Sequence, residues 1–308
     1  MFRSIYRDLK DQINFGNNVT KLIVINVVVF ISLYILFAFI GLFAGPDYKA
    51  GQDTVMKFLS VPSDPYELLK KPWTIITHMF LHRGLMHFVW NMLLLYWFGR
   101  IFGDLMGDRR VIPLYLLAGL MGAIFYFIGV NMILPGGGTA HGASAAVLGI
   151  LIATAYVAPD YMIHMILLGP VKLKWIALAA IVLDLIGIAN LSNTGGHFGH
   201  FGGMFMGWLF ISLINGGNDP SPWFHRVFEW WKNLFTGQAQ KPKSPLKVRH
   251  KAAVSGTRKR TSASSRKSSM KTSDNQDKLD LILDKISKKG IDSLTKEEKA
   301  FLDSVSKK

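Results

Sequence analysis

The sequence predicts an all-α membrane protein, a six-transmembrane-helix bundle with a flexible basic cytoplasmic tail and a small C-terminal helical hairpin. Three observations carry this. Six stretches are apolar, the longer ones matching the ~20 residues a helix needs to cross a bilayer. Lys and Arg concentrate in alternate loops between them. Half of the 308 residues are hydrophobic while the net charge is +15, because apolar and basic residues occupy different parts of the chain.

Residues 1–21 read as a cytoplasmic amphipathic segment. Phe2, Ile5, Tyr6, Leu9 and Ile13 share one helical face, with Arg3, Arg7 and Lys10 off it. Such a helix lies at the headgroups or packs on the protein itself. The six spans, within residues 22–216, are Leu22–Ala44, His87–Phe102, Val111–Leu134, Ser144–Ala158, Trp175–Ile188 and Phe198–Ile214. Arg3, Arg7, Lys10 and Lys21 precede the first span. Arg100, Arg109 and Arg110 lie between the second and third, and Lys172 and Lys174 between the fourth and fifth. The loops at 135–143 and 189–197 carry no Lys or Arg. The positive charge places both termini in the cytoplasm. The 45–84 loop, with Lys49, Lys57, Lys70, Lys71 and Arg83, runs against the trend, and its length weakens the rule there. No cleavable signal peptide is expected, since the first apolar run lacks a small-residue cleavage site.

Beyond the last span, residues 217–236 read as a juxtamembrane aromatic helix, with Trp223, Phe224, Phe228, Trp230 and Trp231. Residues 237–276 read as a disordered basic linker; positions 237–273 hold eleven Lys and Arg and no acid. That composition cannot bury enough apolar surface to fold, and its charge favours anionic lipid. No aromatic interleaves the charges, so no nucleic-acid partner is expected. Residues 277–308 read as a small helical hairpin. Leu279, Ile282 and Ile286 space one helix up to Gly290, and Thr295 with Glu298 forms a capping box for the next.

Cysteine is absent, which excludes disulfides, thiol nucleophiles and Cys-bound metals. The chemistry instead points to Ser144, at the opening of the fourth span, and His200 in the sixth. A hydroxyl needs a base to become a nucleophile. Ala145, Gly149 and Ala153 recur every four residues in one span, and Gly199, Gly203 and Gly207 in the other. Such small faces let helices approach closely, and each candidate stands one residue from its stripe. Ser144 also starts a helix, where free N–H groups favour an oxyanion. His87 and Asn91, four apart in the second span, share a face and supply neutral donors. His197 is a weaker alternative base, expected at the outer rim. Asp184 in the fifth span is expected in helix packing or a water-linked role. His78, His82, His87 and His164 come with no convergent carboxylates, so neither metal nor cofactor is expected.

The motifs resemble the rhomboid family of intramembrane serine proteases. That family's pattern is His-x-x-x-Asn in the second span, Gly-x-Ser-Gly opening the fourth and His-x-x-Gly-x-x-x-Gly in the sixth. Here these positions are His87 and Asn91, then Gly142-Ala143-Ser144-Ala145, then His200, Gly203 and Gly207. Trp73 in Pro72-Trp73-Thr74, with His78 and His82, resembles the family's approach to the second span. The resemblance implies a Ser144–His200 dyad that cleaves membrane-anchored substrates. Asn91, His87 and the Ser144 N–H would stabilise the oxyanion, with Gly142, Gly203 and Gly207 as structural support. It also implies lateral substrate access by movement of the fifth span. Three departures stand out. Ala145 replaces a glycine, Thr74 stands where Arg often follows the tryptophan, and Leu148 replaces an aromatic that packs on the histidine in some members. A non-proteolytic relative would lack the Ser or the His. A transporter is disfavoured by the absence of an inverted repeat. Short basic cytoplasmic loops and the lack of cysteine suit a bacterial inner membrane.

Overall fold

The computed structural model describes residues 17–43, 45–133, 138–165, 169–236, 279, 281–283, 285–286 and 293–306. The amphipathic pattern at 2–13, the linker at 237–276 and Gly290 lie outside the described residues. The chain divides into two units, Met1–Lys241 and Pro242–Lys308.

A helix occupies most of each of the six apolar stretches: α1 (Asn18–Phe43), α4 (Leu85–Met106), α5 (Val111–Ile128), α6 (Ser144–Val157), α7 (Leu173–Ala189) and α8 (Thr194–Asn215). Three helical stretches are long and apolar enough to cross a membrane: Asn18–Phe43, Asp108–Ile133 (α5 with its flanking turns) and Thr194–Asn215. The 14 residues of α6 reach only about 21 Å, short of a ~30 Å hydrocarbon core. Its first residue, Ser144, therefore starts below one membrane surface if its other end reaches the opposite one. The loop after α1 holds α2 (Tyr48–Leu59) and α3 (Pro65–Lys70). Asp64 caps α3 by accepting from the N–H groups of Tyr66 and Glu67.

Two short strand pairings accompany the helices of this mostly helical chain. β1 (Val61–Pro62) pairs antiparallel with β2 (Thr139–Ala140), and β3 (Met162–Met165) with β4 (Gly169–Lys172). The β1–β2 ladder joins the first loop to the segment just before Ser144. The Ser63 N–H also donates to the Gly138 carbonyl at 3.0 Å. At the opposite end of the bundle, the Asn18 N–H donates to Asp108 Oδ1 at 2.8 Å. Arg110 reaches Asp219 at 2.7 and 2.9 Å there, just before α9 (Ser221–Thr236). Trp223, Phe228 and Trp230 of α9 are exposed.

The core lies among α4, α5, α6 and α8, where Phe98, Phe102, Tyr115, Ile150 and Phe210 are fully buried. Tyr115 donates to the Met79 carbonyl at 2.9 Å and accepts from Asn26 at 3.3 Å, so one buried hydroxyl links α1, α5 and the turn before α4. The outward side chains of α1, among them Ile31, Ile35 and Phe39, are apolar and exposed, as a lipid-facing helix requires.

The second unit contains α10 (Lys296–Ser306). The Thr295 N–H donates to Glu298 Oε2 at 2.8 Å and the Glu298 N–H to Thr295 Oγ1 at 3.3 Å, a reciprocal capping box. Lys285 Nζ meets both Glu298 oxygens at 2.8 and 2.9 Å. Ile282 and Leu294 are buried.

Candidate active site

The positions of Ser144 and His200 follow from glycine. Along α8, a Cβ at Gly203 would collide with the backbone of Ala145, and one at Gly207 with the backbone of Gly149. The α6 and α8 backbones therefore touch directly. α5 joins the same seam: a Cβ on Gly122 would stand 2.6 Å from that of Ala145 and 3.0 Å from the Gly199 carbonyl. Gly122 thus makes the room that the extra methyl of Ala145 occupies. Before the helix, Gly142 adopts φ +127°, a region closed to most side chains. A Cβ there would lie 3.0 Å from the His87 ring and 3.6 Å from Ser144 Oγ.

The result is a short contact. Ser144 Oγ stands 2.7 Å from His200 Nε2, the geometry of a hydroxyl donating to an imidazole lone pair. Both line a cavity of about 910 Å³ with His78, His87, His141 and Thr194. Ser144 opens α6 with no side-chain cap on Ala143, so the first-turn N–H groups have no partner within the helix.

Outside the spans, the imidazoles near the site are neutral at physiological pH. Lost solvation lowers His78 and His82 from 6.5 to about 4. Burial also holds His141 below its ordinary value, reinforced by the nearby charge of Arg83. His78 donates through Nδ1 to the Thr74 carbonyl at 3.0 Å. Thr74 is itself fully buried and bonds Lys71 O at 2.6 Å. His78 and His82 stand four residues apart, but His78 Nδ1 is committed to that carbonyl. Trp73 bonds the Phe58 carbonyl at 2.9 Å, tying the first loop to itself.

Several candidates are placed differently from expectation. Asn91 is buried, and its side-chain N–H donates to the His87 carbonyl at 2.8 Å. It leaves the cavity lining to His87 and keeps one amide N–H for another acceptor. His197 does not line the cavity either. Its Nδ1 lies 2.5 Å from Asp184 Oδ1, and the contact with Ser144 Oγ is made by His200 Nε2 instead. Asp184 ties α7 to α8 through both His197 and His200. The same Oδ1 lies 2.7 Å from His200 Nδ1, and the carboxylate side chain is only 7% exposed. Among the described residues, Asp184, His197 and His200 are the set whose ligand atoms converge, within 4.8 Å of one another. A cation there would have to displace both imidazole protons from the carboxylate. His164 lies apart on β3. His141 was overlooked in the sequence although it stands three residues before Ser144. Overlooked too was the α7–α8 turn, where Leu191 and Asn193 line the cavity in left-handed conformations, φ +54° and +46°.

Residues 69–215 match the family model described as the rhomboid domain. The chain belongs to the rhomboid family. RHOMBOID-like protein 7 of Arabidopsis thaliana is 28% identical over 179 residues, covering 56% of this rhomboid and 51% of the plant protein. Rhomboid protease GluP of Bacillus subtilis is 30% identical over 143 residues, 46% of this chain and 26% of that one. Rhomboid protein 1, mitochondrial, of Saccharomyces cerevisiae is 28% identical over 152 residues, 47% and 44% of the two chains. This rhomboid therefore spans between 26% and 51% of the length of these relatives. Residues 266–308 match a family of unknown function. The family and the apolar helices make the chain a membrane protein.

Proposed function

We propose that this rhomboid is an intramembrane serine endopeptidase, hydrolysing peptide bonds in or near the transmembrane segments of membrane-protein substrates. The observation that carries the reading is the 2.7 Å contact of Ser144 Oγ with His200 Nε2 on the wall of a cavity that His78, His87 and His141 also line. His200 Nε2 takes the hydroxyl proton as Oγ bonds to the scissile carbonyl carbon and the carbonyl electrons move onto oxygen. The resulting imidazolium passes its proton to the leaving amine as the C–N bond breaks. Water then attacks the acyl ester carbon, giving a proton to Nε2, and that proton passes to Ser144 Oγ as the acyl C–O bond breaks and the carboxylic acid product leaves. The first-turn N–H of Ser144, the His87 ring and the second amide N–H of Asn91 stabilise the oxyanion.

Six spans with both termini in the cytoplasm set the membrane topology. The loop charges support it, as does the gathering of Asn18, Asp108, Arg110 and Asp219 at the end opposite Ser144. The active site then opens outward to single-span substrates partly unwound near their outer ends. The bacterial inner membrane is the proposed location, and the basic linker 237–276 binds anionic lipid. Reconstituted protein mixed with tagged single-span membrane proteins tests the activity. New termini mapping within or beside the spans, absent with Ser144→Ala, are expected; cleavage by Ser144→Ala, or by neither protein, overturns the reading.

A further inference from the structure

We infer that Asp184 is the positioning residue of a Ser144–His200–Asp184 triad, its carboxylate fixing the catalytic tautomer of His200 and sharing that oxygen with His197. The inference rests on the protease reading and extends it to a third helix.

The geometry is specific. One carboxylate oxygen lies 2.7 Å from His200 Nδ1 and 2.5 Å from His197 Nδ1, while the far nitrogen of His200 lies 2.7 Å from Ser144 Oγ. An ionised carboxylate only accepts hydrogen bonds. Both rings therefore carry their proton on Nδ1, and His200 presents a bare Nε2 to the serine. A protonated Oδ1 could donate to one ring only and would have to accept from the other, whereas an ionised oxygen accepts from both. Without that acceptor His200 could as readily place its proton on Nε2, the form that cannot receive the serine proton. When it does receive that proton, the adjacent negative charge stabilises the imidazolium while Asp184 keeps its own state.

The surroundings are built for this arrangement. Asp184 is 5% exposed on a helix of apolar residues, where an unpaired carboxylate is costly. Two N–H donors offset that cost. One turn along the same helix, a Cβ on Gly187 would overlap the His197 ring. Glycine there opens the slot that seats His197 beside the carboxylate. His197 in turn stands edge-on to His200, with centroids 5.7 Å apart and planes at 89°. His200 thus gains ring support from its own helix, in a chain that has Leu148 rather than an aromatic one turn after Ser144.

The test uses the full chain reconstituted in lipid and a fluorophosphonate probe, with labelling followed over a range of probe concentrations. Wild type labelled and Ser144→Ala unlabelled establishes the underlying reading; if wild type fails here, that reading fails separately from the triad. Given labelling, Asp184→Ala and Asp184→Asn are expected to lower the limiting rate at saturating probe roughly 10²–10⁴-fold. The apparent probe affinity should stay unchanged. Asn keeps the size of Asp, so it remains informative if the alanine variant does not fold. Asp184→Glu should recover part of the lost rate. Limiting rates within about twofold of wild type in folded Asp184→Asn, or a loss confined to probe affinity, overturn the triad.

Discussion

The α5–α6–α8 seam and helix α7 meet the same Ser144–His200 pair by opposite means. In the seam, backbone touches backbone, Gly203 against Ala145 and Gly207 against Gly149, with no space for a single added carbon. Of the 17 residues in α7, the buried ones are Leu173, Ala177 and Asp184. Its Leu183 and Leu185 are 66% and 52% exposed. The serine and its base are therefore positioned by contacts that tolerate no change. The third helix reaches them through one polar side chain, and most of its remaining surface suits lipid. A helix attached in this way can shift without unseating Ser144 from His200. Any such shift would lengthen the Asp184–His200 contact.

The comparison breaks most visibly by filling the seam. Gly203→Val should cost at least ~3 kcal/mol, the upper end for overpacking, because it strikes backbone rather than a yielding side chain. Thermal unfolding in detergent measures this, and a midpoint near wild type would show that α6 and α8 can separate. Within the site, His87→Ala should lower turnover by roughly 10²–10³ if its ring meets the oxyanion. Asn91→Ala should do the same only if its second N–H turns into the cavity. Equal folding with unequal turnover would separate the two, and an unchanged Asn91→Ala rate would leave that residue as a tie to the His87 carbonyl.

Acid should loosen the tightly packed side. His78 and His82 hold values near 4 when folded against 6.5 ordinarily. Between these limits the unfolded chain binds protons that the folded one refuses, so stability is full above 6.5 and declines as the pH falls toward 4. The thermal midpoint should drop across that window, and His82→Gln should shallow the drop; a flat midpoint would mean that neither imidazole stays neutral. The smallest effects belong to the lipid-facing side and the tail. Leu183→Ala should alter stability by no more than about 0.5 kcal/mol. Removal of 237–308 should leave serine labelling intact, and its loss would give the tail a part in supporting the core.

Sequence reading reached the seam because stripes of small residues every four positions specify which faces meet, and Ser144 and His200 stand beside those stripes. It located the three longest apolar stretches, within Asn18–Phe43, Asp108–Ile133 and Thr194–Asn215, because bilayer thickness sets their length. It could not reach the Asp184 contact. α7 is apolar all round, so its pattern does not reveal which face looks inward, and a residue sixteen positions from His200 meets it only after the turn between α7 and α8 sets the rotation of both. His197 suffered the same ambiguity, being one turn from His200 with no stripe of its own. The two-residue pairing of Val61–Pro62 with Thr139–Ala140 is too short for alternation to signal a strand.

The most direct measurement of the central claim is labelling of the lipid-reconstituted full chain by a fluorophosphonate, beside Ser144→Ala and His200→Ala, with the adduct mapped by mass spectrometry. A single adduct on Ser144 of wild type, abolished by either substitution, is the predicted result. Folded wild type that takes up no probe, or labelling that survives Ser144→Ala, would contradict an activated serine at this site.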